Sequence, residues 1–107
     1  MLAFLFVYGT LRRGQGLHVE LLQTRAEFVG EAWMPGTLYD LGWYPGAVAE
    51  GDQVISGELY RLPEPRSALR SLDAVEGGEF RRVAVRVRLA DGGTRRAWVY
   101  LLKKRPL

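Results

Sequence analysis

The sequence predicts an α+β fold, a small, mostly antiparallel β-barrel of about six strands with two flanking helices. Three observations point there. Apolar or alternating runs of strand length outnumber helical patterns along the 107 residues. Short Gly, Pro and Asp turn signals separate most of these runs, so consecutive strands are expected to pair antiparallel. Only two segments carry a 3.6-residue apolar period. This many short strands can close on themselves.

The elements follow in order. Residues 3–8 (AFLFVY) read as a buried strand that Gly9 and Thr10 break. Arg12 to Gly16 is a polar loop. Residues 17–24 read as a short helix, with Leu17, Glu20, Leu21 and Thr24 on one thin face. Residues 26–34 suggest a strand, Pro35-Gly36 a turn, and Thr37 to Leu41 a further strand. Gly42 to Gly46 is a loop rich in aromatics and breakers. Ala47 to Ala49 suggests a short strand and Gly51-Asp52 a turn. Val54 to Leu62 is a strand with Gly57 inside it, the mark of a bulge or a close backbone approach. Pro63 and Pro65 open a helix over residues 65–75, and Gly77-Gly78 stops it. Phe80 to Leu89 alternates cleanly, with Val83, Val85 and Val87 on one face and Arg82, Arg86 and Arg88 on the other. Asp91-Gly92-Gly93 is a hairpin turn, Thr94 to Leu102 the last strand, and residues 103–107 a loose end.

The length fits a single domain over residues 1–107. Hydrophobic residues at 48% are too many for a disordered chain. With no cysteine and one histidine, thiolate catalysis, disulfide stapling and Cys- or multi-His metal sites are excluded. The apolar start is too short to span a bilayer and lacks the flanks of a signal peptide, so no membrane partner and a cytoplasmic location are expected. The net charge of +3 reads as a solvated surface, and no nucleic-acid partner is expected.

Two places can carry chemistry. Tyr8-Gly9-Thr10-Leu11 follows a buried strand, and a sharp turn there leaves backbone N–H groups free for an anion or oxyanion. An ordinary turn with Thr10 as a cap explains the same residues. The second place is Glu76. Leu69, Leu72 and Glu76 share a helix face, so a carboxylate stands where the apolar stripe calls for leucine. Partial burial and the helix C-terminus both disfavour its charge and raise its pKa, which suits a general base. The alternative is a glutamate that swings into solvent or pairs with Arg81 or Arg82. Asp73 is expected to bond locally and His18 to lie at or near the surface. Trp43, Tyr44, Tyr60, Trp98 and Tyr100 are expected in the core or in a pocket wall.

Taken together, these strings resemble the gamma-glutamylcyclotransferase-like family, which includes gamma-glutamylamine cyclotransferases and the plant avirulence-induced-gene-like proteins. The resemblance runs through Val7-Tyr8-Gly9-Thr10-Leu11-Arg12-Arg13-Gly14, Gly36-Thr37-Leu38-Tyr39, Tyr44-Pro45-Gly46, Val54 to Tyr60, Leu72-Asp73-Ala74-Val75-Glu76-Gly77 and Ala97-Trp98-Val99-Tyr100. It implies a mixed barrel with flanking helices and a pocket where the Tyr8–Leu11 loop faces Glu76. It implies a small gamma-glutamyl substrate, held by Tyr8, Gly9, Thr10, Leu11 and Tyr100. Glu76 would deprotonate the substrate's α-ammonium, whose attack on its own γ-carbonyl closes 5-oxoproline and releases an amine. No cofactor and no metal is implied, since the substrate supplies the nucleophile. One departure stands out: Phe80-Arg81-Arg82 has phenylalanine where the family often has tyrosine. That change favours the alternative, a non-catalytic small-molecule-binding domain on the same fold.

Overall fold

The computed structural model describes residues 1–106. Five strands and two helices follow one another: β1 (Phe4–Val7), α1 (His18–Leu22), β2 (Glu27–Asp40), β3 (Pro45–Arg61), α2 (Pro65–Glu76), β4 (Phe80–Leu89) and β5 (Thr94–Leu102). The strands close into a barrel in the order β1-β3-β2-β4-β5. Every pairing is antiparallel except β1 with β5, which run parallel through Leu5 and Trp98. The barrel is therefore mixed, and closure removes the edges that an open sheet leaves unpaired.

Five strands stand where about six were expected, because Pro35-Gly36 and Gly51-Asp52 are not turns. Both lie inside one long β2–β3 ladder. Pairing runs down to Gly36 opposite Gln53 and resumes at Thr37 opposite Val48, so Ala49 to Asp52 bulge out between the two registers. A bulge tolerates Pro and Gly and bends the strand without ending it. The Thr37 hydroxyl, donating to Glu50 O at 2.7 Å, ties the bulge down. Gly57 is the expected close approach: an added Cβ there would lie 2.4 Å from the Val7 carbonyl oxygen.

Helix α1 is shorter than its predicted span. Thr24 donates its hydroxyl to Leu21 O at 2.6 Å, in competition with the helix, and Arg25 leaves the helical region at φ 62°. Helix α2 begins with Pro65 in its first turn and ends at Glu76. Lys103 donates its amide to Glu79 O at 2.9 Å, which fastens the start of the expected loose tail; Leu107 lies outside the described residues.

The core has two parts, and β1 belongs to both. Phe6 and Tyr8 point into the barrel with Met34, Ile55, Leu59 and Val99. Leu5 and Val7, on the other face of the strand, pack against Leu69 and Leu72 of α2 and Leu21 of α1. That is why the strand is apolar throughout rather than alternating. It is also what places the C-terminal end of α2 beside the turn that follows β1.

Candidate active site

The turn after β1 uses its carbonyls and spares its amides. Gly9 O accepts from Arg12 N at 3.0 Å, Thr10 O from Leu17 N at 2.9 Å, and Leu11 O lies 2.9 Å from His18 Nδ1. Among the described residues, the N–H groups of Gly9, Thr10 and Leu11 donate to no acceptor. Thr10 caps no backbone group with its hydroxyl, so the ordinary-turn reading loses its cap. The buried Leu11 side chain anchors the turn to the helices. Half-buried His18 holds the turn through the Leu11 carbonyl, which requires a proton on Nδ1.

Tyr8 fixes the turn from beneath. Its hydroxyl donates to Tyr100 O at 2.6 Å and accepts from Ala47 N at 3.1 Å, joining three stretches of backbone inside the barrel. Burial pushes this phenol well above its usual range, with the Ala47 bond opposing and the Glu76 charge adding, so it stays a neutral donor. The hydroxyl is committed to the protein, and Tyr8 meets the cleft with its body rather than with a free polar group.

Glu76, at the last position of α2, faces the same cleft. Gly77 lets the chain turn away at φ 78° and ψ −173°, a region in which essentially only glycine is comfortable. Glu76 forms no hydrogen bond or ion pair among the described residues. Burial alone lifts its carboxyl to about 7. The alternative of a pairing with Arg81 or Arg82 is absent among the described residues. Arg82 instead grips Asp73, with Nε 2.9 Å from Oδ1 and a second bond of 3.2 Å to Oδ2, and its guanidinium stacks on Trp98.

Asp73 also accepts the Tyr100 hydroxyl at 2.7 Å. Burial pushes the Asp73 carboxyl up, but the bonds from Arg82 and Tyr100 and the Arg82 charge outweigh it and hold the group below its ordinary value. The bonding expected for Asp73 is thus real but reaches across the fold to β4 and β5. Tyr100 is pushed upward first by burial and then by Asp73.

All six residues singled out from the sequence, Tyr8, Gly9, Thr10, Leu11, Glu76 and Tyr100, line one cleft. Phe6, Val7, Tyr44, Pro45 and Phe80 complete its walls. Pro45 packs closely enough on the turn that a Cβ on Gly9 would come within 3.2 Å of its Cγ. Phe80 lies against the Tyr44 ring, and the Tyr44 hydroxyl is bonded to Glu79. No phenol replaces the one missing at Phe80, since those of Tyr8, Tyr44 and Tyr100 all have protein partners. Trp43 is the exception among the aromatics, 96% exposed beside this wall.

The cleft is narrow, about 30 Å³, enough for a slim polar group among the free amides. Beyond Glu76 it meets a wider hollow of about 320 Å³ lined by Asp73, Arg81 and Arg82, with Glu76, Phe80 and Tyr100 as the shared wall. Among the described residues, no three His, Asp or Glu side chains converge as metal ligands, and no helix is long and apolar enough to cross a membrane.

Comparison with known proteins gives a consistent picture. The profile of the family described as "Gamma-glutamyl cyclotransferase, AIG2-like" matches residues 5–107. The gamma-glutamylcyclotransferase family protein YtfP of Escherichia coli K12 is 35% identical over 103 residues, covering 94% of this chain and 82% of that protein. The gamma-L-glutamyl-butirosin B gamma-glutamyl cyclotransferase of Niallia circulans is 32% identical over 108 residues, covering 94% of this chain and 67% of its own length. Among solved structures, an AIG2-like protein of Mus musculus superposes with a TM-score of 0.78 at 28% identity, covering 97% of this chain and 79% of that one.

Proposed function

Because this chain belongs to the AIG2-like gamma-glutamylcyclotransferase family of enzymes, we propose that it releases 5-oxoproline from a gamma-glutamyl amine or peptide, with Glu76 as the general base. The observation that carries the reading is an unpartnered, half-buried carboxyl, lifted to about 7, across a narrow cleft from three free backbone amides.

The steps follow from what the substrate brings. Its α-ammonium loses a proton to Glu76, and the amine attacks the γ-carbonyl carbon of its own chain. The C–N bond formed closes a five-membered ring, and the carbonyl electrons move onto oxygen. Donors from the Gly9–Leu11 amides suit that oxyanion, or the α-carboxylate that folds the substrate. The electrons then return, and the bond to the leaving nitrogen breaks. In total the attacking nitrogen gives up two protons and the leaving nitrogen gains two; Glu76 can carry each in turn. A base near neutrality is suited to both directions of transfer. Holding amine and carbonyl in contact is a proximity task that needs no protein nucleophile. Asp73 has the wrong environment for the work, since Arg82 and Tyr100 occupy its oxygens.

The test is 5-oxoproline itself, assayed by mass spectrometry over a panel of gamma-glutamyl amines, amino acids and ε-linked gamma-glutamyl-lysine, with Glu76→Gln alongside. Release by the native enzyme that falls at least about a hundredfold in the variant, the low end of a general base's contribution, supports the reading. Equal release by both proteins removes Glu76 from the mechanism. Ligand binding with no release from any panel member points to the binding domain that the Phe80 departure favours.

A further inference from the structure

The free amides of the turn after β1 are aimed by what binds its carbonyls. In a trans peptide group the carbonyl and the following N–H point in opposite directions, and no peptide bond among the described residues is cis. A donor on a carbonyl therefore fixes the direction of the next amide. Leu17 N, donating to Thr10 O at 2.9 Å, fixes the Leu11 amide in this way. Arg12 N, donating to Gly9 O at 3.0 Å, fixes the Thr10 amide. The Arg12 side chain reaches the same carbonyl only at 3.4 Å, too long to set that peptide by itself.

The Arg12 amide shares its peptide group with the Leu11 carbonyl, and that carbonyl is bound by His18, with Nδ1 at 2.9 Å. Two peptide groups thus stand in series. His18 Nδ1–H donates to Leu11 O, Arg12 N–H donates to Gly9 O, and the free Thr10 N–H ends the chain in the wall of the cleft. Hydrogen bonds in series polarise one another, so a donor on the first carbonyl strengthens the last N–H. His18 is itself held. It is half-buried at the start of α1, and its ring lies 6.1 Å from that of Tyr60. The Tyr60 hydroxyl donates to Glu58 at 3.0 Å, and Glu58 accepts the Arg13 amide at 3.0 Å. One cluster therefore supports His18 and pins the chain just beyond the series.

We propose that His18 is a positioning residue for the reaction: through the Leu11 carbonyl it directs and strengthens the Thr10 amide as a donor to the substrate. This inference rests on the reading of the Gly9–Leu11 amides as substrate donors. His18 touches no reacting atom and carries no proton for Glu76. Its effect travels through two backbone groups that any sequence would supply, but the donor at the head of the series belongs to its side chain alone.

Three variants test it. His18→Phe keeps a ring against Tyr60 and removes the donor, His18→Ala removes both, and His18→Asn returns a side-chain N–H at the reach of Nδ1. Release of 5-oxoproline from the best substrate of the gamma-glutamyl panel is measured for each below its thermal midpoint, and the Thr10 amide is followed by proton–nitrogen NMR. The expected result is a loss of about tenfold in kcat/KM for His18→Phe and His18→Ala, the size of one hydrogen bond. The Thr10 amide proton moves upfield in both, and His18→Asn recovers most of the rate and of the shift. The pH limb set by Glu76 stays where it is in all three. Full kcat/KM in the donor-free variants overturns the inference, and so does a His18→Asn no better than His18→Phe, which leaves the ring a packing role only. The two readings fail separately. Undiminished release by His18→Phe with the Thr10 signal unmoved keeps the cyclotransferase and removes the positioning role. A Thr10 signal that follows the His18 donor in a protein that releases no 5-oxoproline keeps the hydrogen-bond series and removes the reaction.

Discussion

The last turn of α2 carries two neighbouring carboxylates, Asp73 and Glu76, and their partners set them apart. Asp73 looks across to β4 and β5, where Arg82 and the Tyr100 hydroxyl bond both of its oxygens and hold it as an anion. Glu76 continues the apolar stripe of Leu69 and Leu72, meets no cation, and is lifted by burial to about 7. The same chemical group is a fixed strut at Asp73 and an unpartnered acid at Glu76. What divides them is partnership: both feel burial, but only Asp73 has charges and donors that reverse it.

Removing the two carboxylates in turn is expected to give unequal losses. The largest belongs to activity: Glu76→Gln lowers kcat at least about a hundredfold, whereas Asp73→Asn, measured at each variant's own pH optimum, loses far less. Equal losses in steady-state assays would mean that the two acids work as a unit.

Next comes stability, where the signs oppose. Glu76 titrates near 7 when folded and near 4.5 when unfolded, so the folded state binds the extra proton between those values. Stability then falls as pH rises through that window. Removing the charge with Glu76→Gln is expected to stabilise the protein above pH 7 by on the order of 2–3 kcal/mol, with no gain below about pH 4.5. Asp73 runs the other way: its folded value is depressed, so its contribution is present above its unfolded value and lost as pH falls through the folded one. Its side chain is 44% exposed, and solvent screening holds that contribution to under about 1 kcal/mol. Denaturant midpoints for the two variants across pH check both signs.

Gly77→Ala sharpens the comparison from the backbone. Its conformation is essentially reserved for glycine, so the substitution is expected to cost about 1–3 kcal/mol. It disturbs the helix end that presents Glu76 more than the turn that holds Asp73. Activity lost beyond what the change in thermal midpoint explains identifies the damage as local to Glu76.

The smallest expected effect is a shift in a pH profile. If Glu76 must be ionised to act, kcat/KM rises as pH increases through about 7. In Asp73→Asn the freed Arg82 guanidinium can turn toward Glu76 and lower that limb by about 1 unit. An unmoved limb means that Arg82 stays on Trp98 without its acid.

These contrasts were partly legible in the sequence. The broken stripe at Leu69, Leu72 and Glu76 showed an acid in an apolar place, and Pro65 and Gly77 marked the ends of its helix. Tyr8 to Leu11 could be read as a turn with free amides because a buried strand ended in glycine. The partners of Asp73 could not be read locally, since they stand 9 and 27 residues away. One signal did exist: the Asp91-Gly92-Gly93 turn sets the β4–β5 register and brings Arg82 opposite Tyr100. The long β2–β3 ladder was missed for a different reason. Pro35-Gly36 and Gly51-Asp52 have turn chemistry, and only pairing with distant residues turns them into a bulge. The tether from His18 to Leu11 O left no pattern that a single strand or helix could reveal.

The most direct measurement is the titration of both side-chain carboxyls by carbon-13 NMR, with Glu76→Gln and Asp73→Asn used to assign the signals. A Glu76 midpoint near 7 together with an Asp73 midpoint below its ordinary 3.8 is the expected result. A Glu76 midpoint near 4.5 would contradict it, leaving an ordinary ionised glutamate in the cleft and no poised base.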